Sequence, residues 1–346
     1  MKTRLKDMTL DELKGFFLGI GERPFRASQV FKWMYAGADS FGAMTNIPAG
    51  LREALEGMAE LYTLKLAAMR ESSVDGARKY VFEASDGDLI EGALMQYSYG
   101  RSICISSQAG CRMGCAFCAS GIDGLHRGLS AGEMADQLLI AEKDAGVKIG
   151  RAVIMGTGEP LDNFDQVRRF VEIVCDSGGL GISRRNITIS TCGLIPGIRR
   201  LAKELPQVGL AVSLHSADDA VRGSLMPINK KYPIRDLKDA VREHIAMTGR
   251  RATFEYALID GVNDSAAAAK KLAALLRGLN CHVNLIVMNR VEGLGFSGSP
   301  RKLAEDFQRI LADAGIQVTI RRSLGKDIEA ACGQLRLEAR RAADKG

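Results

Sequence analysis

Four of the eight cysteines fall between positions 104 and 118, and three of them form a C-x3-C-x2-C array, Cys111-Arg112-Met113-Gly114-Cys115-Ala116-Phe117-Cys118. Clustered thiols in a reducing compartment point to metal binding or catalysis rather than to a disulfide framework. Three thiolates on one loop can hold three irons of a 4Fe–4S cluster and leave the fourth iron open to a small ligand. A structural zinc ion normally takes four protein ligands. Here the best nearby fourth is His126, and plain buried thiols are a third reading. Cys104 and Cys332 lie outside the array. As bare residues they read as buried thiols, while Cys175, Cys192 and Cys281 fall on helix or strand patterns and read as core or incidental.

Other polar groups recur where the chain changes direction. Met155-Gly156-Thr157-Gly158-Glu159-Pro160 places glycines where backbone can approach a ligand closely, and Glu159 can accept from an ammonium group. Ser190, Ser213-Leu214-His215 and Asn289 each end or follow an apolar run. Taken alone, each is as compatible with a turn or a local cap as with ligand binding. Glu91, in an alternating strand pattern, reads alone as a solvated strand glutamate.

The elements that must position these groups can be read from periodicity. Residues 1–61 have helical spacing, as in Ala27–Tyr35 and after Pro48, and form a small helical module. Residues 62–98 carry turn signals at Val74-Asp75-Gly76 and Asp86-Gly87. The second lies between alternating runs and predicts a hairpin. From 99 to 335 the pattern alternates. Predicted strands are Ser102–Ser106, Ala152–Met155, Asn186–Ser190, Gly209–Leu214, Thr253–Leu258, His282–Val287 and Gln317–Arg321. Helical stretches between them include Ser130–Asp144, Phe164–Asp176, Ile234–Met247, Ala266–Leu279 and Pro300–Ala314. Repeated β-α units imply an α/β fold with a parallel sheet. The expectation is a partial or full (β/α) barrel, with a doubly wound sheet as the alternative. In either, the chemistry belongs at the C-terminal strand ends. Residues 336–346 are a charged tail.

The chain has 346 residues, 46% of them hydrophobic and 25% charged. That composition excludes collagen-like, disordered and membrane-spanning classes. The charged N-terminus lacks a signal-peptide core, so a cytoplasmic location is the default. With 47 basic and 41 acidic residues the net charge is +6, which is compatible with a nucleic-acid partner without requiring one. Lys230-Lys231 and Arg321-Arg322 are the dibasic pairs best placed for phosphate contact. Nothing suggests an oligomer, so a monomer is expected.

A C-x3-C-x2-C array directly after the first barrel strand resembles the radical S-adenosylmethionine (SAM) superfamily. Longer matches resemble its RlmN/Cfr family: Ile105-Ser106-Ser107-Gln108-Ala109-Gly110-Cys111, Phe25–Tyr35, Leu225-Met226-Pro227-Ile228-Asn229, Gly261-Val262-Asn263-Asp264 and Asp327–Leu335, together spanning nearly the whole chain. The resemblance implies that Cys111, Cys115 and Cys118 hold the cluster, and that Gly158, Glu159, Ser190, Ser213, Leu214, His215 and Asn289 bind SAM. It further implies Cys332 as a methyl carrier, Cys104 as the thiol that resolves a covalent RNA adduct, and Glu91 as the acceptor of the adenine carbon-2 proton. The implied substrates are 23S rRNA and tRNA, with an electron donor such as flavodoxin or ferredoxin. Methylation at carbon 8, as in the Cfr branch, is the alternative within the same chemistry, and an iron–sulfur sensor that binds RNA without catalysis is the alternative outside it.

Overall fold

The computed structural model describes residues 2–289, 295–322 and 324–328. Cys332 and the 336–346 tail lie outside the described residues. The chain opens with β1 (Thr3–Arg4), then α1 (Leu10–Gly19), α2 (Pro24–Tyr35), α3 (Ala49–Met58) and β2 (Ala59–Glu60), which pairs with β1. The start of α1 follows from its sequence: Thr9 and Glu12 form a reciprocal capping box. Next come β3 (Leu64–Glu71), β4 (Arg78–Ala84), β5 (Leu89–Tyr97) and β6 (Gly100–Ile105), joined antiparallel, followed by the short strands β7 (Gln108–Gly110) and β8 (Leu125–Gly128). The remainder alternates: α4 (Ala131–Ala145), β9 (Arg151–Ile154), α5 (Phe164–Cys175), β10 (Ile187–Thr191), α6 (Ile195–Glu204), β11 (Gly209–Ser213), α7 (Asp219–Leu225), α8 (Ile234–Thr248), β12 (Ala252–Leu258), α9 (Ala266–Leu276), β13 (Cys281–Val287), α10 (Arg301–Asp313) and β14 (Gln317–Ile320).

One sheet contains ten of these strands, in the order β14-β13-β12-β11-β10-β9-β6-β5-β4-β3. From β6 to β14 the strands are parallel and follow chain order without a reversal. A doubly wound sheet reverses its strand order at a switch point, so that alternative is excluded. Among the described residues β14 does not pair with β6. The free side of β6 is taken by β5 instead, and the fold is a partial, open barrel extended by the three antiparallel strands β5, β4 and β3, one more than the expected hairpin.

The helical module shares its core with the barrel. One apolar cluster runs from Leu5 and Phe17 through Leu138, Val212 and Phe254 to Leu311. A buried polar knot fixes the joint. Lys6 Nζ donates to Asp136 Oδ1 at 2.7 Å, and Asp136 Oδ2 accepts from the Thr63 amide at 2.7 Å and the Thr63 hydroxyl at 2.9 Å. The Lys6 ammonium also lies 3.4 Å from the Tyr62 ring centroid. Removing one member of such a pair strands a buried charge. Lys6→Ala is therefore expected to lower unfolding stability by about 3–5 kcal/mol, read as a shift in the urea midpoint. An unchanged midpoint would show that the knot does not couple module and barrel.

Candidate active site

The cysteine array is carried by a loop whose two ends are pinned together. β7 and β8 pair antiparallel on either side of it, and the Cys111 amide donates to the Gly124 carbonyl at 2.8 Å. Gly110 makes this approach possible: its φ is 77°, and a Cβ there would lie 2.0 Å from the Gly124 oxygen. The far side of the loop is tied by the Ala116 amide to the Leu225 carbonyl at 2.9 Å. Cys111, Cys115 and Cys118 thus face one cavity of about 150 Å³, together with Gly156, Gly158, Glu159, Ser190 and His215.

The donor set separates the readings of the array. Burial, with Cys118 adding to it, pushes the Cys115 thiol up to about 12, and burial pushes Cys111 up to about 11. Thiols so placed become thiolates only beside strong positive charge, which iron supplies. No group of three or more His, Cys, Asp or Glu among the described residues is placed to hold a single metal ion. Three thiols of one loop facing one cavity are a donor set of the kind that holds three irons of a 4Fe–4S cluster. His126, the expected fourth zinc ligand, is engaged elsewhere, with Nδ1 2.8 Å from Asp88 Oδ1, and does not line the cavity.

The cavity floor is the turn after β9. The Gly156 amide donates to the Ile105 carbonyl at 3.0 Å and the Thr157 amide to Ser106 Oγ at 2.8 Å. Gly158 has φ 109°, and a Cβ there would fall 2.6 Å from the Gln108 Cβ, so the floor has room only for glycine. Glu159 is fully buried. One of its oxygens accepts the Cys192 amide at 2.7 Å and the other the Leu161 amide at 3.0 Å. Burial pushes its carboxyl up while these amides draw it back down. Glu159 therefore braces the loop after β10, where its carboxylate also has the Cys192 and Thr191 side chains as hydrogen-bond partners.

His215 follows β11 in a left-handed conformation, φ 57°, the one non-glycine with positive φ among the described residues. Its Nδ1 accepts the Ala257 amide at 2.9 Å, so its proton sits on Nε2. Burial, with Arg222 adding to it, pushes the imidazole down to about 3, and the ring is neutral. A ring fixed in this tautomer can donate into the cavity but cannot ligate a metal through Nε2.

A second cavity of about 330 Å³ shares Phe117, Cys118, Ser190, Ser213 and His215 with the first. It extends past Ala93, Met95, Glu255 and Asn289 to Arg321 and Arg322. The first therefore opens into a larger chamber with a basic rim. Lys230 and Lys231 are exposed and line neither cavity. Leu214 also lines neither. Its amide donates to the Glu255 carbonyl at 3.0 Å and its carbonyl accepts from Arg222 Nε at 3.1 Å, so it spaces Ser213 from His215.

Glu91 and Cys104 share a sheet face with the chamber wall. Ala93 pairs directly with Cys104, and Glu91 lies two residues before Ala93. Glu91 is not a solvated strand glutamate. Its side chain is 6% exposed and 3.5 Å from the ammonium of Lys79, which is 2% exposed. Sequence reading passed over Lys79 and also over Arg222. The Arg222 guanidinium is fully buried behind the cysteines, donating to the carbonyls of Leu214 and Cys192 and to Asn229 Oδ1. Neither lies in a motif with an obvious ligand, although Arg222 precedes the Leu225–Asn229 match. Cys192, read as incidental, lines the smaller cavity, whereas Cys175 and Cys281 pack on the core. The segment leading toward Cys332 is moored to the β3–β4 turn: Ser72 Oγ donates to Asp327 Oδ1 at 2.7 Å, and the Gly325 amide to Asp75 Oδ2 at 2.8 Å.

Comparison with known proteins matches residues 3–61 to the ribosomal RNA large subunit methyltransferase N-terminal domain and residues 105–273 to the radical SAM superfamily. The chain is 48% identical over 333 residues to the probable dual-specificity RNA methyltransferase RlmN of Thermoanaerobacter sp. (strain X514), covering 96% of this chain and 97% of the relative. It is 49% identical over 337 residues to that of Pelotomaculum thermopropionicum, covering 97% and 92%. Among solved structures, a radical SAM methyltransferase from Sphaerobacter thermophilus superposes with TM-score 0.93 at 44% identity, covering 96% of this chain and 98% of the other.

Proposed function

Because the chain belongs to the RlmN family of radical SAM methyltransferases, we propose that it methylates carbon 2 of an adenosine in 23S rRNA and of the adenosine 3′ of the anticodon in tRNA. The observation that carries this reading is the meeting of three array thiols and a glycine floor in one cavity that opens on a larger, arginine-rimmed chamber. Cys111, Cys115 and Cys118 would hold a 4Fe–4S cluster. Gly158, Glu159, Ser190, Ser213, His215 and Asn289 would surround SAM, with Leu214 setting the spacing. Bound there, the two supply an electron and the 5′-deoxyadenosyl radical that one-electron cleavage of SAM yields.

The remaining work falls to the chain. Carbon 2 of adenine is electron-poor and cannot displace a methyl group from a sulfonium. Cys332, as thiolate, is the right nucleophile to take that methyl first; its S-methyl group would then give one hydrogen atom to the 5′-deoxyadenosyl radical from a second SAM and bond through its methylene carbon to carbon 2, with the surplus electron passing back to the cluster. Glu91 then accepts the carbon-2 proton. Cys104 attacks the Cys332 sulfur, forming a disulfide and freeing the methylated base. The base is buried in a stacked helix and must be unpaired or flipped to enter. Arg321, Arg322 and the N-terminal module hold the RNA backbone, and a flavodoxin or ferredoxin delivers electrons to a monomer. No described helix is long and apolar enough to cross a membrane.

The test is anaerobic incubation of reconstituted protein with SAM, reductant and unmodified rRNA or tRNA. Nucleoside analysis is expected to give 2-methyladenosine. 8-Methyladenosine alone, or no methylated adenosine, would overturn the assignment.

A further inference from the structure

Glu91 is one member of a buried pair, and its partner has no assigned part in the chemistry. On β4 and β5, Val81 pairs with Glu91 and Lys79 with Ala93. On β5 and β6, Ala93 pairs with Cys104. Directly opposed residues share a sheet face, so Lys79, Ala93 and Cys104 form one row across three strands, with Glu91 diagonal to Lys79. Ala93 lines the chamber. Two strand spacings put Lys79 and Cys104 about 10 Å apart at the backbone. The Lys79 ammonium lies 3.5 Å from Glu91 Oε1, and both side chains are almost wholly buried.

From this row we infer that Lys79 is a positioning residue for release of the methylated RNA: its ammonium fixes the Glu91 carboxylate on the sheet face that Ala93 shares with the chamber wall. The inference rests on the reading of Glu91 as the carbon-2 base. Taking the ammonium from a buried ion pair removes the group that orients the carboxylate. With the ammonium beside it, Glu91 can take the carbon-2 hydrogen as a proton while the C–H bonding pair stays with the ring. A merely architectural pair behaves differently, because replacing both partners with apolar groups is often neutral for stability and carries no preference for a restored charge.

The test uses reconstituted full-length protein carrying Lys79→Met, with Lys79→Gln as second variant should methionine disturb the sheet, and Lys79→Arg as the restoring change. Three quantities are read: methyl on Cys332 by intact mass, 5′-deoxyadenosine, and the ratio of RNA–protein adduct to free methylated RNA. The uncharged variants are expected to methylate Cys332 and form 5′-deoxyadenosine as the wild type does. Release should slow by about a hundredfold, in the range of lost general-base help, so that adduct accumulates. Lys79→Arg should recover most of the release rate. Unchanged release in the uncharged variants overturns the inference. So does an equal loss of Cys332 methylation, which would make Lys79 a support of the fold, or an arginine variant no faster than methionine. Wild-type protein run alongside separates the two levels: if it yields no methylated adenosine, the reading of the reaction fails and the inference falls with it.

Discussion

Cys118→Ala is expected to bring 5′-deoxyadenosine formation down to the reductant-only background while the protein remains folded. The reason lies in what surrounds the array. With one thiol gone, the nearby groups that could replace it are already engaged. His126 is held by Asp88 and lies away from the cavity. The His215 lone pair is spent on the Ala257 amide. Cys192, the other thiol of the cavity, is buried and hydrogen-bonded to the Glu159 carboxylate. Cys118 is the informative choice for that reason, since it also lines the larger chamber and stands at the junction of the two cavities. Its loss removes a ligand without disturbing the packed side of the loop. Iron and sulfide analysis on air-free protein, with 5′-deoxyadenosine measured by chromatography, checks the expectation. Wild-type amounts of 5′-deoxyadenosine would show that the triplet is not the cluster site.

Cys104→Ala is expected to stop turnover after one covalent event per chain. The protein should accumulate joined to RNA through Cys332, visible as a nuclease-sensitive mass increase. The thiol lies on β6, opposite Ala93 in the chamber wall, and is buried. It is therefore shielded from solvent, on the sheet face of Ala93, which lines the chamber. Alanine removes the attacking sulfur but leaves β6 pairing intact, so earlier steps proceed and the adduct has no exit. Cys332→Ala in the same assay should give neither adduct nor methylated RNA, with the iron content unchanged. Multiple turnovers by Cys104→Ala protein would remove Cys104 from the mechanism.

Much of this architecture was legible because parallel strands buried on both faces read as short β-rich runs. Six of the seven predicted barrel strands lie within a residue of their observed bounds, as Gly209–Leu214 does against Gly209–Ser213, and the seventh, Ser102–Ser106, starts two residues after β6 (Gly100–Ile105) does. The Asp86-Gly87 turn likewise lies between β4 and β5. Closure was not legible, because it depends on whether β14 finds a partner beyond its neighbour, and no local pattern encodes that. Site residues that lie in short motifs, such as the array and the Gly-Glu-Pro turn, announced themselves by spacing. Lys79, Arg222 and the burial of Glu91 did not. Their significance arises from cross-strand register and from helix–loop packing, and a strand glutamate beside lysine looks solvated until the pairing shows which face it shares. The bracing role of Glu159 was hidden for the same reason, since its amide donor at Cys192 is distant in sequence.

An iron left open by the polypeptide for SAM is read by electron paramagnetic resonance on dithionite-reduced protein, prepared without air and with its iron and zinc quantified. The account predicts about four irons per chain, a reduced-cluster signal that shifts on adding SAM, and no stoichiometric zinc. A signal indifferent to SAM, or a zinc ion in place of iron, would contradict it.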